Sequence, residues 1–314
     1  MSKVDPLSKY ELHFYGTGFE DNPQRIISLK NNQEVLGACI LPKTKQQLSQ
    51  LNINISDNQI ALLQKWRLLD IQNGKLQTIF PILSKDKISQ LRKYTDSLAT
   101  VMTNVITPEI NRFLQSLEKQ YMTNAYILLF AYVLDGLIWD YFTKANLMPD
   151  MSTDTQKLWV GVLWGSYLPR KFFLGTNTYE VPEGEVTFIW NNTVLPKLKP
   201  FFLHEESIPQ KVKNLTIPII WKQSGDPTYE SGKKVAKKLS EEVLHQLNLP
   251  ALAKQYNLYD QRQALVIIYH ELMWSILEEI ENKKLVPRPA ILVNPKETSK
   301  ADVANLMFQV NAPK

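Results

Sequence analysis

The chain has 314 residues, of which 44% are hydrophobic and 21% charged, the composition of an ordinary globular protein long enough for more than one core. A single cysteine, Cys39, excludes an internal disulfide and any multi-cysteine metal site, and fits a reducing cytoplasm, the location expected here. The net charge of +5 is unevenly placed: Pro42 to Lys93 holds 9 of the 36 basic residues and 3 of the 31 acidic ones, leaving 27 basic and 28 acidic groups elsewhere.

Met1 to Tyr15 lacks the apolar run of a signal peptide. The next elements begin at Val35, Leu36, Cys39 and Ile40, whose spacing suits one face of a short helix ending before Pro42. Thr44-Lys45-Gln46-Gln47 is a capping-box pattern that starts a second helix, with Leu48 and Leu51 facing inward. Asn52-Ile53-Asn54 supplies a turn. Ser56-Asp57-Asn58-Gln59 repeats the capping pattern ahead of Ile60, Leu63 and Trp66, so a third helix follows, presenting Asn58, Ala61, Gln64 and Lys65 outward.

In Leu68 to Phe80, Asn73-Gly74 fits a two-residue type I′ turn, because both residues tolerate positive φ. That turn predicts a register in which Gln72 opposes Lys75, Ile71 opposes Leu76, Asp70 opposes Gln77 and Leu69 opposes Thr78. One face is then Leu69, Ile71, Leu76 and Thr78, and the other is polar.

These elements, from about Asn32 to Leu83, resemble the winged helix-turn-helix domain of bacterial and archaeal regulators such as the arsenic-sensing and multiple-antibiotic-resistance repressors. The match rests on Leu48, Ile53, Ser56, Ile60, Leu63, Leu68, Leu69 and the Asn73-Gly74 tip, and covers about a sixth of the chain. The resemblance implies double-stranded DNA as partner and a homodimer as the working form. The third helix would bring Asn58, Gln59, Ala61, Gln64 and Lys65 to a major groove, Lys75 would reach a phosphate from the wing, and Lys43, Lys45 and Arg67 would add backbone contacts. Two features depart from the family: Asp57 opens the recognition helix, and that helix carries no outward arginine. The alternative reading is a protein-interaction or scaffold protein that uses the winged helix as a structural module.

Ser84-Lys85-Asp86-Lys87 reads as the start of a long amphipathic helix, its stripe being Ile88, Leu91, Tyr94, Leu98, Val101, Met102 and Val105 at about 3.5 spacing. It is predicted to end or kink at Thr107-Pro108. The stripe continues through Ile110, Phe113, Leu114 and Leu117. Met122 to Leu147 reads as a second, almost wholly apolar helix. Its most apolar part, Ala125 to Trp139, is shorter than the roughly 20 residues of a membrane span and is interrupted by Asp135, so a buried helix and no membrane are expected. These helices suit either a dimer interface or packing within one chain.

After Asp150, strands are expected at Leu158 to Tyr167, Lys171 to Leu174, Tyr179 to Val181, Glu185 to Trp190 and Ile217 to Lys222, with turns at Gly175-Thr176-Asn177 and Pro182-Glu183-Gly184. Helices follow at Tyr229 to Leu247, Pro250 to Tyr256 and Asp260 to Lys284, then an apolar run, Ala290 to Val293, and a last helix near Ala301 to Val310. Trp159, Trp164, Trp190, Trp221 and Trp274, with Tyr167, Phe172, Phe173 and Tyr179, suit either a core or a pocket for a small apolar or aromatic ligand.

Signatures of chemistry are few. His270-Glu271-Leu272-Met273-Trp274 begins like a zinc-protease motif but has Trp274 where the second histidine must stand. The other histidines are scattered, so no metal site is expected. No phosphate-cradling loop, dinucleotide fingerprint or nucleophile elbow is present, and neither a cofactor nor catalysis is expected.

The expected fold class is α+β, predominantly helical. It divides into an N-terminal extension and winged helix-turn-helix (1–83), long amphipathic helices for linkage or dimerisation (84–149), and a mixed helix/sheet sensor or interaction domain (150–314). The expected function is a sequence-specific DNA-binding transcriptional regulator.

Overall fold

In a computed structural model that describes residues 6–18, 22–151, 157–167, 170, 175–181, 184–190, 219–287 and 306–311, the chain is mixed α+β and predominantly helical, with small sheets. It divides into two compact units, each assembled from several segments. Unit 1 comprises 1–93, 147–169 and 248–269; unit 2 comprises 94–146, 170–247 and 270–314.

In unit 1, Tyr10, Leu12 and Phe14 alternate with Glu11, His13 and Tyr15, a period of two that forms strand β1 (Tyr10–Gly18). Helices α1 (Pro23–Ile27), α2 (Asn32–Ala38), α3 (Lys45–Ser49) and α4 (Asp57–Lys65) follow, then the hairpin β2 (Leu69–Gln72) and β3 (Lys75–Thr78) and the two-residue strand β4 (Ile82–Leu83). Far along the chain, β5 (Trp159–Tyr167) joins β1 antiparallel and β4 parallel, giving the order β1-β5-β4. At the pair Gly16↔Gly161 the strands run too close for side chains: a Cβ on Gly161, at φ 128°, would collide with the carbonyl oxygen of Tyr15.

The cap signals of the basic segment act as the sequence implies, with one change. At α3 the box is complete: the Gln47 N–H donates to Thr44 Oγ1 (3.2 Å), and Thr44 N–H donates to Gln47 Oε1 (2.9 Å). At α4 it is half made. Ser56 Oγ accepts from the Gln59 N–H at 3.2 Å, but the Gln59 side chain is engaged elsewhere. Helices α3 and α4 end in Schellman turns, with Asn52 (φ 60°) and Arg67 (φ 53°) left-handed, and with Ile53 and Leu68 N–H groups donating back to Leu48 and Leu63. The hairpin has the predicted register throughout, its tip formed by Asn73 (φ 52°) and Gly74 (φ 72°). Its apolar face is buried except Ile71, which is 43% exposed although Leu76, its partner across the hairpin, is in the core.

That core is Val35, Leu36, Cys39, Leu48, Ile60, Leu63, Trp66, Leu68, Leu69 and Leu76, joined by Leu7, Phe80, Trp159 and Leu163. Burial pushes the thiol of Cys39, the residue that ends α2, up to about 11, as expected of a packing residue. Helix α5 (Lys85–Ser116) gives its first turns to unit 1 and the rest to unit 2. It does not end at Thr107: Pro108 lies inside it. Its buried stripe also differs from the predicted one, running through Ile88, Leu91, Thr95, Ala99, Met102, Ile106, Ile110 and Phe113, while Val101 is 46% exposed. At 100° per residue, two successive steps of three residues, Ile88 to Leu91 to Tyr94, turn the traced stripe back by about 120°, whereas the buried stripe steps four residues from Leu91 to Thr95.

Unit 2 contains α6 (Ala125–Lys144), whose middle, Leu128–Leu137, is wound as a π-helix. By length and composition it is apolar enough to cross a membrane, and 78% of its most apolar 18 residues is buried inside the protein, as for a core helix. A four-stranded sheet of order β6-β7-β9-β8 comprises β6 (Gly175–Val181), β7 (Gly184–Trp190), β8 (Ile219–Lys222) and β9 (Leu306–Asn311). Two expectations are corrected here. Residues 175–177 open β6 instead of turning, and Leu306–Asn311, placed within a last helix, is a strand held between β7 and β8. Sheet pairing supplied by distant segments overrode local propensity. Helix α7 (Pro227–Gln246) starts with Asp226 Oδ1 accepting from the Tyr229 N–H at 2.7 Å. Helix α8 (Leu249–Tyr256) belongs to unit 1, and α9 (Gln261–Asn282) contributes to both units. The predicted strand 171–174, the turn residues 182–183, the run 290–293 and residues 301–305 lie outside the described residues.

Candidate functional site

Unit 1 presents the predicted basic surface on the short helices and the hairpin. Ile60, Leu63 and Trp66 anchor α4 in the core, which leaves Asn58, Ala61, Gln64 and Lys65 exposed on its opposite side. Trp159 fixes the C-terminal end of that helix: its Nε1 donates to the Trp66 carbonyl at 2.7 Å, and the Arg67 guanidinium stands 5.6 Å from its ring centroid. Arg67 is exposed at the left-handed position just past α4. Lys75 is exposed beside the hairpin tip. Lys43 is half-buried, its backbone bridging to Leu76 of β3 in both directions (3.0 and 2.7 Å), so the segment between α2 and α3 is sewn to the hairpin.

Two residues of this set are engaged in particular ways. The Gln59 amide donates to Asn31 Oδ1 (2.8 Å) and Asn32 Oδ1 (2.6 Å), fastening α4 to the start of α2. Asn32, buried, donates onward to the Ile26 carbonyl at 2.7 Å. Lys45 forms an ion pair with Asp57, so the carboxylate that opens α4 has a cation directly beside it. Both groups are exposed, and such pairs contribute about 0–1 kcal/mol, so the pair matters more for local charge than for stability.

Unit 2 carries a second site, a cavity of about 250 Å³ between α6, the sheet and the first turn of α7. Ala131, Tyr132, Asp135 and Gly136 line it from the π-helical winding, with i to i+5 hydrogen bonds, and Asp140 from the α-helical turn that follows; such windings recur at functional sites. Strands supply the opposite wall at alternate positions: Thr176 and Thr178 from β6, Glu185 and Thr187 from β7, Lys222 from β8. Tyr229 of α7 completes it.

The polar groups are closely coupled. Asp135 accepts from Thr176 Oγ1 at 2.9 Å and from Trp139 Nε1 at 3.3 Å. Burial nevertheless pushes its carboxyl up to about 6, outweighing the two hydrogen bonds that favour the charged form. Asp140 is also raised by burial, against the pull of Lys144 and Lys222. Lys222 Nζ donates to Glu185 Oε2 at 2.7 Å, and the Thr178 and Thr187 hydroxyls lie 3.0 Å apart. The Tyr132 hydroxyl is buried and has no hydrogen-bond partner among the described residues.

None of these cavity residues was foreseen as a site. One signal was visible: Asp135 interrupts an otherwise apolar run, and a carboxylate within a buried helix is the informative exception. Of the aromatic residues considered for a pocket, those whose side chains are described lie elsewhere. Trp159, Trp164 and Tyr167 are buried along β5 of unit 1, and Trp274 is buried in unit 2 with its ring centroid 5.4 Å from that of Phe130. The side chains of Trp190, Trp221, Phe172, Phe173 and Tyr179 lie outside those described. His270 and Glu271 stand on α9, and no group of three or more His, Cys, Asp or Glu able to hold a metal ion occurs among the described residues.

In comparisons with protein-family models, curated proteins and solved structures, nothing matches this chain.

Proposed function

We propose that the chain is a DNA-binding transcriptional regulator whose α2, α3, α4 and hairpin act as a winged helix-turn-helix, and whose unit 2 senses an effector or contacts a partner. The observation that carries this reading is the exposed outer side of α4, with Asn58, Ala61, Gln64 and Lys65 free for a groove while Ile60, Leu63 and Trp66 hold the helix to its core. Lys75 at the wing, Lys43, Lys45 and Arg67 supply cations for the phosphate backbone. In this reading the chain acts as a homodimer, two copies placing their recognition helices one turn of DNA apart.

Fluorescence polarisation with random duplex DNA at low salt tests it. With about four or five phosphate contacts, the logarithm of the binding constant should fall with log salt at a slope of roughly −4. Reversing charge at Lys65, Arg67 and Lys75 together should abolish binding; absence of binding in the unmodified protein removes the proposal. The second reading, a protein-interaction module, draws on Leu41, Leu51, Ile71 and Ile79, large apolar side chains left exposed in the same segment. It requires that Leu41→Ser with Ile71→Ser, and not the charge reversal, removes the partner.

A further inference from the structure

The groups that α4 offers to a groove differ in the bases they can read. At about 100° per residue, Ala61 lies at the middle of the exposed face of this helix, with Asn58 and Lys65 within about 60° on one side and Asp57 and Gln64 within about 60° on the other. The smallest side chain therefore stands where the helix comes nearest to a base edge, and two carboxamides flank it. The third carboxamide of the helix, Gln59, is withdrawn, donating to Asn31 Oδ1 and Asn32 Oδ1. Charge complementarity favours nucleic acid on this face: Lys45, Lys65, Arg67 and Lys75 are exposed in the same segment, and the carboxylate of Asp57 is paired with Lys45.

This inventory selects among base pairs. Asn or Gln bonds adenine bidentately, donating to N7 and accepting from N6, and a side-chain methyl packs on the C5-methyl of thymine, whereas guanine presents two acceptors and is read by arginine or lysine. Helix α4 carries no arginine. Arg67 lies past its end, with its guanidinium 5.6 Å from the Trp159 ring centroid. Lys65 is the single cation of the helix, so at most one contacted position can be read as guanine.

We propose that α4 reads A·T base pairs in the major groove: Asn58 and Gln64 each bond an adenine, and the Ala61 methyl packs on a thymine methyl between them. The proposal rests on the DNA-binding reading and adds to it the class of target, an A·T-rich site with no more than one guanine contacted by each helix.

Selection of duplexes from a random library by the full chain at low salt, followed by polarisation titration of the selected duplex, tests it. The selected sites should be A·T-rich. Replacing their adenines with 7-deazaadenine removes the N7 acceptor and leaves base pairing and the minor groove intact, so minor-groove shape cannot account for the loss of affinity, expected to be about tenfold. Deoxyuridine in place of thymidine removes the C5-methyl and should weaken binding about fourfold. Asn58→Ala should erase the preference at one position. Gln64→Arg should turn the preferred base at its position from adenine to guanine, a change that misfolding cannot imitate. Absence of any duplex binding removes the DNA-binding reading and this one with it. Salt-dependent binding in which G·C-rich sites are selected, no base is preferred, or 7-deazaadenine leaves affinity unchanged overturns this proposal alone.

Discussion

The two units treat ionisable side chains in opposite ways. In unit 1 Lys45, Lys65, Arg67 and Lys75 of the basic segment are exposed outside an apolar core, and the buried polar groups Asn32 and Thr78 donate to backbone carbonyls at 2.7 Å. In unit 2 charge is taken inside. Arg170, 9% exposed, bonds Glu271, 1% exposed, at 3.0 Å, and reaches Glu278 at 3.0 Å and the Ser275 hydroxyl at 3.1 Å. Ser275 in turn bonds Asp96 at 2.7 Å and Thr95 at 3.0 Å. Charge outside tunes encounter with a partner at little cost in stability, whereas charge inside requires every group to be answered.

Breaking the inner network should give the largest effect. Arg170→Met takes the guanidinium away from the buried Glu271 carboxylate and should cost about 3–5 kcal/mol in urea denaturation, whereas Glu271→Gln, which leaves Arg170 its bond to Glu278, should cost less. If Arg170→Met lost less than about 1 kcal/mol, the contrast between the units would be unfounded. In unit 1 the comparable loss must come from backbone crowding: Gly161→Ala, forced against Tyr15, should cost about 1–3 kcal/mol.

Asp135 sharpens the comparison by its sign. A carboxyl raised in the folded state binds more protons folded than unfolded, so stability falls as pH rises from about 4 to about 6 and stays reduced above. Asp135→Asn removes that loss, and should raise stability on the order of 2 kcal/mol at pH 7 with little change at pH 4, measured by urea melts at both values. A destabilised variant at pH 7 would show that the carboxylate is held by its partners at no cost.

Smaller effects belong to unit 1. Thr44→Ala breaks a reciprocal cap and should cost about 1 kcal/mol of thermal stability. Charge reversal at Lys65 and Lys75 should move stability by less than about 0.5 kcal/mol, both being exposed, while removing most of the affinity for duplex DNA.

How far each unit was legible follows from the same contrast. The hairpin register was readable because Asn73-Gly74 dictates a turn and alternation does the rest. The helix starts at Thr44 and Ser56 were readable because caps are local. Strand β1 carries an alternation of Tyr10, Leu12 and Phe14 with polar residues, a local pattern. Its partner β5 stands some 150 residues away, and no local pattern names it. The cavity was illegible for the same reason: Asp135, Thr176, Glu185, Lys222 and Tyr229 are spread over about a third of the chain.

The sequence by itself determined the short-range features: the capped helices, the hairpin and its register, the buried apolar helix around Asp135, and the concentration of positive charge between Pro42 and Lys93. These depend on backbone conformations and periodicities a few residues long, which side-chain chemistry sets locally. Tertiary structure alone decided that α5 runs through Pro108, that Leu306–Asn311 is a strand, that Gln59 turns to Asn31 and Asn32, and that carboxylates, threonines and tyrosines converge on one cavity. All but the first of these are contacts between distant segments, where burial and pairing outweigh the weak preferences of the local chain.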